Sequence, residues 1–287
     1  MTMTNFLRKP YIALLLIGKV FAIVAAVHVY HLWQARTAHA NPAFEQHAQD
    51  SEAQVDHSDW QEVLDNYLVK SEKSGHTLFK YGDVSDDHKA QLEDYIDDLQ
   101  DISPKTLNRD EQFAYWVNLY NAVTVNLIID SYPVQSIKEI GSVINLGPWD
   151  DVVVEVDGQE MTLNNIEHGV LRPIFGENRV HYAVNCASLG CPNLQPQALT
   201  ADNLEEQLEI AAEDFINHSK GVNLQGDEMT LSSIYDWFGS DFGGSQETVL
   251  EHIYNYASPE LEAKLDAFEG KIKYDYNWQL NDAANEE

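Results

Sequence analysis

The stretch Phe113-Ala-Tyr-Trp-Val-Asn-Leu-Tyr-Asn-Ala-Val-Thr-Val-Asn-Leu-Ile-Ile129 contains no charged residue. Asn108 stands ahead of it as an N-cap, and Asp110 and Glu111 fall in the first turn, where carboxylates meet the positive end of a helix. Phe113, Trp116, Tyr120 and Leu127 lie on one side, and Tyr115, Leu119, Ala122 and Val125 on others. A helix that is apolar all round is buried. Asn118, Asn121 and Asn126 argue against a membrane span and for the core of a folded domain. A buried amide left without a partner costs about 1–3 kcal/mol. Asn118 and Asn121 are therefore either pins that hold neighbouring loops or donors that line a pocket.

The rest of the chain reads as material packed around this helix. Trp60–Lys70 and Asp86–Leu99 are amphipathic helices, the second with Leu92, Tyr95, Ile96 and Leu99 on one stripe. Val152–Val156, the turn Asp157-Gly158 and Met161–Leu163 form a hairpin, followed by a helix from Asn164 to Arg172 that Pro173 stops. Val180–Asn185 reads as a strand and Asp202–His218 as an acidic helix. Val222–Leu224, Gly226-Asp227 and Met229–Leu231 make a second hairpin. Helices over Ser232–Phe238, Gln246–Tyr256 and Glu260–Phe268 follow, and Lys271–Tyr276 closes the order as a strand. The expectation is an α+β fold: one domain with a mostly helical N-terminal part, short β-hairpins and a buried central helix.

The ends carry a different signal. Arg8 and Lys9 precede an apolar run, Tyr11–Trp33, and Ala38-His39-Ala40 offers small residues for cleavage. Residues 1–40 are expected to be either a cleaved export signal or an inner-membrane anchor through residues 11–33. Residues 41–58 read as a flexible tether, 59–282 as the globular domain and 283–287 as an acidic tail. The expected location is the periplasm, with membrane contact only through the N-terminal segment. Beyond residue 40 there are 13 basic and 47 acidic residues, a net charge of −34. Such a surface repels phosphate backbones, so nucleic acid is excluded as a partner. An envelope substrate or protein is the partner expected.

Candidate chemistry gathers around the chain's two cysteines, in Asn185-Cys186-Ala-Ser188-Leu-Gly-Cys191-Pro192. In an oxidising compartment two nearby thiols pair readily. Cys186 and Cys191 thus read as a structural disulfide. They also read as a catalytic site, with Cys186 as nucleophile, His168 or His181 as base, and Glu167 or Asp241 orienting the imidazole. Ser188 and the loop amides are available to an oxyanion. Metal ligation by His168, His181 and a cysteine has no recognisable spacing, and no metal or other cofactor is expected. Glu167 lies beside the stripe Leu163, Ile166 and Val170, and a carboxylate facing a core must pair or take up a proton.

Five ordered blocks, Phe113–Val125, Asn165–Arg172, His181–Pro192, Ile234–Gly243 and Tyr274–Asn281, together resemble the bacterial domain-of-unknown-function 547 family. The likeness runs from about Trp60 onward. It implies a shared domain with no assigned reaction, and it points to Asn118, Asn121, Glu167, His168, Arg172, His181, Asn185, Cys186, Cys191 and Asp241. Members often carry a second proline after the Cys-Pro, where this chain has Asn193. Two functional expectations follow. One is a cysteine hydrolase or acyltransferase acting on an amide or thioester-like bond, with Asn118, Asn121, Arg172, Asn185 and Ser188 contacting substrate. The other is a non-catalytic envelope binding module stapled by a Cys186–Cys191 disulfide.

Overall fold

The charge-free segment forms helix α3 (Arg109–Ser131), capped by Asn108, whose side chain accepts from the Glu111 amide. Every residue from Glu111 to Val125 is buried. This computed structural model describes residues 38–141 and 147–286. The apolar run 11–33, and with it the choice between signal and anchor, lies outside the described residues. Among the described residues no helix is long and apolar enough to cross a membrane.

Before α3 come α1 (Ser58–Tyr67) and α2 (Asp86–Asp101), which bury Trp60, Val63, Leu64 and Tyr67, and Leu92, Tyr95, Ile96 and Leu99. The first helix stops three residues short of the expected Lys70. Leu68–Lys70 is instead strand β1, paired antiparallel with β2 (Thr77–Phe79). Cross-strand pairing overrides the helical continuation there.

Residues 41–58 are not a loose tether. Phe44 and Val55 are buried in the main core, the Asn41 amide donates to the Gly169 carbonyl at 2.7 Å, and the Val55 amide donates to Glu111 Oε1 at 2.6 Å. Few large apolar residues were enough here, because each of the two finds a prepared slot.

Strands β3 (Val152–Val156) and β4 (Gln159–Thr162) form the first hairpin, with Asp157 and Gly158 both at positive φ. The chain then runs through α4 (Leu163–Ile166), a π-helical turn (Glu167–Leu171) and α5 (Arg172–Phe175). Pro173 does not stop this segment. It occupies the first turn of α5, where a missing N–H is tolerated, and the wider π turn accommodates the change of register. The end comes at Gly176, in the left-handed conformation.

The segment expected as a strand, Val180–Asn185, begins instead as a helical turn, α6 (Val180–Ala183), closed by the Val184 amide on the Val180 carbonyl. A four-residue apolar run fits either reading by pattern alone. Helix α7 (Leu204–Ile216) follows. Strands β5 (Val222–Gln225) and β6 (Glu228–Ser232) form the second hairpin, and β7 (Lys271–Asp275) joins β6 in parallel. Between them lie α8 (Ile234–Trp237), α9 (Gln246–Tyr256) and α10 (Pro259–Asp266). The architecture is α+β, with small sheets of two or three strands. One core surrounds α3. A second gathers Tyr182, Phe215, Tyr235, Phe242 and Ile253.

Candidate functional site

The loop after α6 is tied down by two asparagines. Asn121, on α3, donates from Nδ2 to the Ala183 carbonyl at 2.9 Å and accepts the Asn185 amide at 2.8 Å. Asn185 then donates from Nδ2 to the Pro192 carbonyl at 2.7 Å and accepts the Ala187 amide at 2.8 Å. One side chain thus clamps both ends of the cysteine loop. It also supports Ala187 at a φ of 57°, a conformation non-glycine residues rarely hold. Asn118 works the same way further along, donating to the Leu199 carbonyl and accepting the Leu199 amide. Neither Asn118 nor Asn121 leaves an amide end without a backbone partner.

The segment beyond β7 forms the other wall. The Leu189 amide donates to the Gln279 carbonyl and the Gly190 amide to the Asn277 carbonyl, each at 2.8 Å. A Cβ at Gly190 would sit 2.7 Å from the Asn277 nitrogen, so this approach needs glycine.

Within this frame the thiols meet. Cys186 and Cys191 are free, with their Sγ atoms 2.7 Å apart. Cys186 Sγ also contacts Tyr276 OH at 3.0 Å and Ser188 Oγ at 3.3 Å, and its own amide donates to Cys191 Sγ at 2.9 Å. Cys186 is half-buried and Cys191 buried. Burial acts to raise the Cys186 thiol, but hydrogen bonds from Cys191, Ser188 and Tyr276 outweigh it and hold the thiol below its ordinary value. Burial, joined by the neighbouring Cys186 sulfur, pushes the Cys191 thiol well up. The pair is unequal in access and in partners: Cys186 is half-buried and meets two hydroxyls, and Cys191 is buried.

A second cluster is built around Arg172, whose side chain is fully buried. Its Nε donates to Asp241 Oδ2 at 2.6 Å and its NH2 to Oδ1 at 3.1 Å, a bidentate pair. His181 Nε2 donates to the same Oδ2 at 2.8 Å. Burial opposes the charge on Asp241, yet His181 and Arg172 hold its carboxyl well below the usual range. Arg172 NH1, which can only donate, lies 3.0 Å from His168 Nδ1. The His168 proton therefore belongs on Nε2. Burial, then Arg172 and His181, keep His168 neutral; burial likewise lowers His181. Phe238 covers the cluster, stacked at 13° on His181 and lying under the Arg172 guanidinium at 4.6 Å. Glu167 sits at the edge, accepting Tyr120 OH at 3.2 Å. Burial raises its carboxyl to about 7 against the pull of Arg172.

The structure thus brings Glu167, His168, Arg172, His181 and Asp241 into one group, and Cys186, Ser188 and Cys191 into another, with Asn185 clamping the loop. Among the described residues neither His168 nor His181 is hydrogen-bonded to Cys186; its side-chain partners are Cys191, Ser188 and Tyr276. The amides of Ala187, Leu189, Gly190 and Cys191 are already donating within the fold. Among the described residues no three His, Cys, Asp or Glu side chains gather as metal ligands.

Two participants escaped the sequence reading. Tyr276 stands 90 positions from Cys186, at the end of a segment read only as a closing strand. Lys220, inside a turn, donates to Asn193 Oδ1 at 2.6 Å within electrostatic reach of both cysteines, and burial lowers its ammonium to about 8. The block Tyr274–Asn281 was the available signal for Tyr276. Lys220 had none, because a single lysine beside a glycine reads as a solvated turn.

Residues 104–216 match the family model described as "Protein of unknown function, DUF547". The matched span holds α3, the π turn and both cysteines. It does not reach Asp241 or Tyr276. No curated protein and no solved structure matches the chain.

Proposed function

We propose that Cys186 and Cys191 form a redox-active dithiol that exchanges with disulfides. The supporting observation is the geometry of the pair: a half-buried sulfur touched by the Ser188 and Tyr276 hydroxyls lies 2.7 Å from a buried one. An attacking thiol needs access and thiolate character, and a resolving thiol needs only proximity. The Cys186 thiolate attacks one sulfur of a substrate disulfide. A mixed disulfide forms, the substrate S–S bond breaks and one substrate thiolate leaves. Cys191 gives up its proton and attacks Cys186 Sγ, closing the intramolecular bond and releasing the second substrate thiolate. Two electrons pass to the substrate, and the two protein protons end on the released thiols. An external dithiol reductant restores the pair.

The acyl-transfer reading draws less support, since among the described residues neither candidate imidazole is hydrogen-bonded to Cys186 and most loop amides are committed elsewhere. The staple reading shares the same pair and differs in its lability. Oxidised glutathione added to the reduced protein separates them. Cys191→Ser should accumulate a stable glutathione adduct, Cys186→Ser should accumulate none, and the wild type should pass on to the internal disulfide, which excess dithiol reopens within minutes. Equal adducts on both variants, or an internal bond that resists the reductant in the folded protein, would overturn the proposal.

We also expect the domain to work outside the cytoplasm, on the strength of Arg8, Lys9 and the apolar run Tyr11–Trp33. A reporter fused after Ala40 should be active only there; native protein recovered from the cytosol with residues 1–33 intact would refute it.

A further inference from the structure

Four large aromatic rings run in a contact chain outward from the Cys186 thiol, and the fold does not account for all of them. Tyr276, whose hydroxyl touches Cys186 Sγ, packs at 4.9 Å from Trp237 and 4.6 Å from Trp278. Trp237 and Trp278 stack at 5.7 Å and 28°, and Trp149 meets Trp278 edge-on at 5.7 Å. All four are half-buried, and Trp237 belongs to neither core. A Cβ at Gly147 would collide with the Trp149 ring at 2.0 Å, so the chain gives up a side chain to seat that tryptophan. Partly wet indole and phenol rings side by side are the usual furniture of a binding face.

Charge narrows the occupant. Among the described residues seven of the thirteen Lys and Arg side chains are matched to carboxylates: Lys70, Lys89, Lys105, Arg172, Arg179, Lys264 and Lys273. Lys138 forms no ion pair among the described residues. Its Nζ lies 4.4 Å from the centroid of Trp278, and partial burial lowers its ammonium. A desolvated ammonium on an aromatic wall attracts an anion that can lie on the same wall.

We infer that Trp237, Tyr276, Trp278 and Lys138 form the acceptor subsite of the Cys186 thiol, selective for a disulfide whose sulfur is carried by a planar aromatic group bearing a carboxylate. This rests on the dithiol reading above. Stacking on Trp237 and Tyr276 brings the ring-borne sulfur beside Cys186 Sγ. The carboxylate turns to Lys138. The leaving aryl thiolate departs along the same wall.

Four disulfide probes test it on the reduced, full-length protein: dithiobis(nitrobenzoate), aromatic and anionic; dithiodipyridine, aromatic and neutral; dithiodiglycolate, aliphatic and anionic; and cystamine, aliphatic and cationic. Each rate is divided by that of free glutathione at the same pH, which removes intrinsic reactivity. The expected order has dithiobis(nitrobenzoate) first, about tenfold above cystamine after normalisation. Trp237→Ala should cut the aromatic-to-aliphatic ratio by about threefold or more. Lys138→Met should lower the ratio of dithiobis(nitrobenzoate) to dithiodipyridine by about threefold. Ratios within one variant cancel any general loss of folded protein. Normalised rates that are equal across the four probes, or ratios unmoved in both variants, overturn the subsite while leaving the dithiol standing. Failure of Cys186 to react with any probe removes the dithiol reading itself.

Discussion

The two side-chain clusters differ most in what holds them. Arg172 and Asp241 are held by full charges, with the His181 N–H donating to the same carboxylate under Phe238 and the guanidinium out of contact with water. Cys186 and Cys191 are held by neutral hydroxyls, an amide and each other, and Cys186 is partly open. Both groups satisfy the usual residue lists for catalysis. Only the second has a reactive atom whose partners could change without leaving a buried charge stranded. Conspicuous ionic geometry here joins two parts of the fold, α5 and the segment after α8, and the proposed chemistry rests on the quieter cluster.

The sharpest way to break this contrast is at Asp241. Asp241→Ala removes the bidentate carboxylate partner of a buried guanidinium and should lower unfolding free energy by about 3–5 kcal/mol, measured by chemical denaturation. Alkylation of Cys186 in the variant that remains folded should stay close to the wild-type rate. A parallel collapse of thiol reactivity would make the two clusters one site.

Glu167 gives the next largest effect. Its folded pKa, about 7, is raised above the ordinary 4.5. The stability tied to this group is therefore fully present below pH 4.5 and is lost as pH rises through about 7, by up to roughly 3 kcal/mol. Glu167→Gln keeps the acceptor for Tyr120 and should flatten the stability profile between those pH values. An unchanged profile would show that the carboxyl ionises freely in the native state.

Asn121→Ala removes the amide that fixes the chain on both sides of Val184. A cost of about 2 kcal/mol is expected, together with faster hydrogen exchange across residues 183–187. Exchange that rises equally in α7 would mean that Asn121 supports the domain at large and not the thiol loop.

The smallest effect is the most local. Tyr276→Phe deletes a hydroxyl 3.0 Å from Cys186 Sγ and keeps the ring. The midpoint of Cys186 alkylation against pH should move up by about one pH unit, with little change in unfolding. No movement would assign the lowered thiol to Cys191 and Ser188 alone.

Much of the fold was legible before any coordinates. The charge-free run from Phe113 could only be buried, Asn108 announced its start, and Asp157-Gly158 and Gly226-Asp227 announced both hairpins. What misled were segments decided by tertiary partners. Val180–Ala183 is a helical turn because the Arg179 and Val180 carbonyls are capped from within, which no four-residue pattern reveals. Pro173 reads as a stop signal until the preceding π turn is known. The site residues were visible one by one, since Cys186, Glu167, Arg172 and Asp241 are unusual where they stand. Their grouping was not visible: Asp241 reaches Arg172 across 69 positions, and Tyr276 reaches Cys186 across 90.

The order of synthesis gives the wall after β7 a further consequence. Cys186 leaves the ribosome 90 residues before Tyr276, and Cys191 follows it closely. Until residues 276–281 dock, Cys186 lacks the Tyr276 hydroxyl, and the amides of Leu189 and Gly190 lack their acceptors. During that interval the nascent chain carries two ordinary, unguarded thiols. Docking of this late segment adds the Tyr276 hydroxyl and the acceptors of the loop amides, so any nick or early stop before Tyr276 leaves both cysteines in place and the site incomplete.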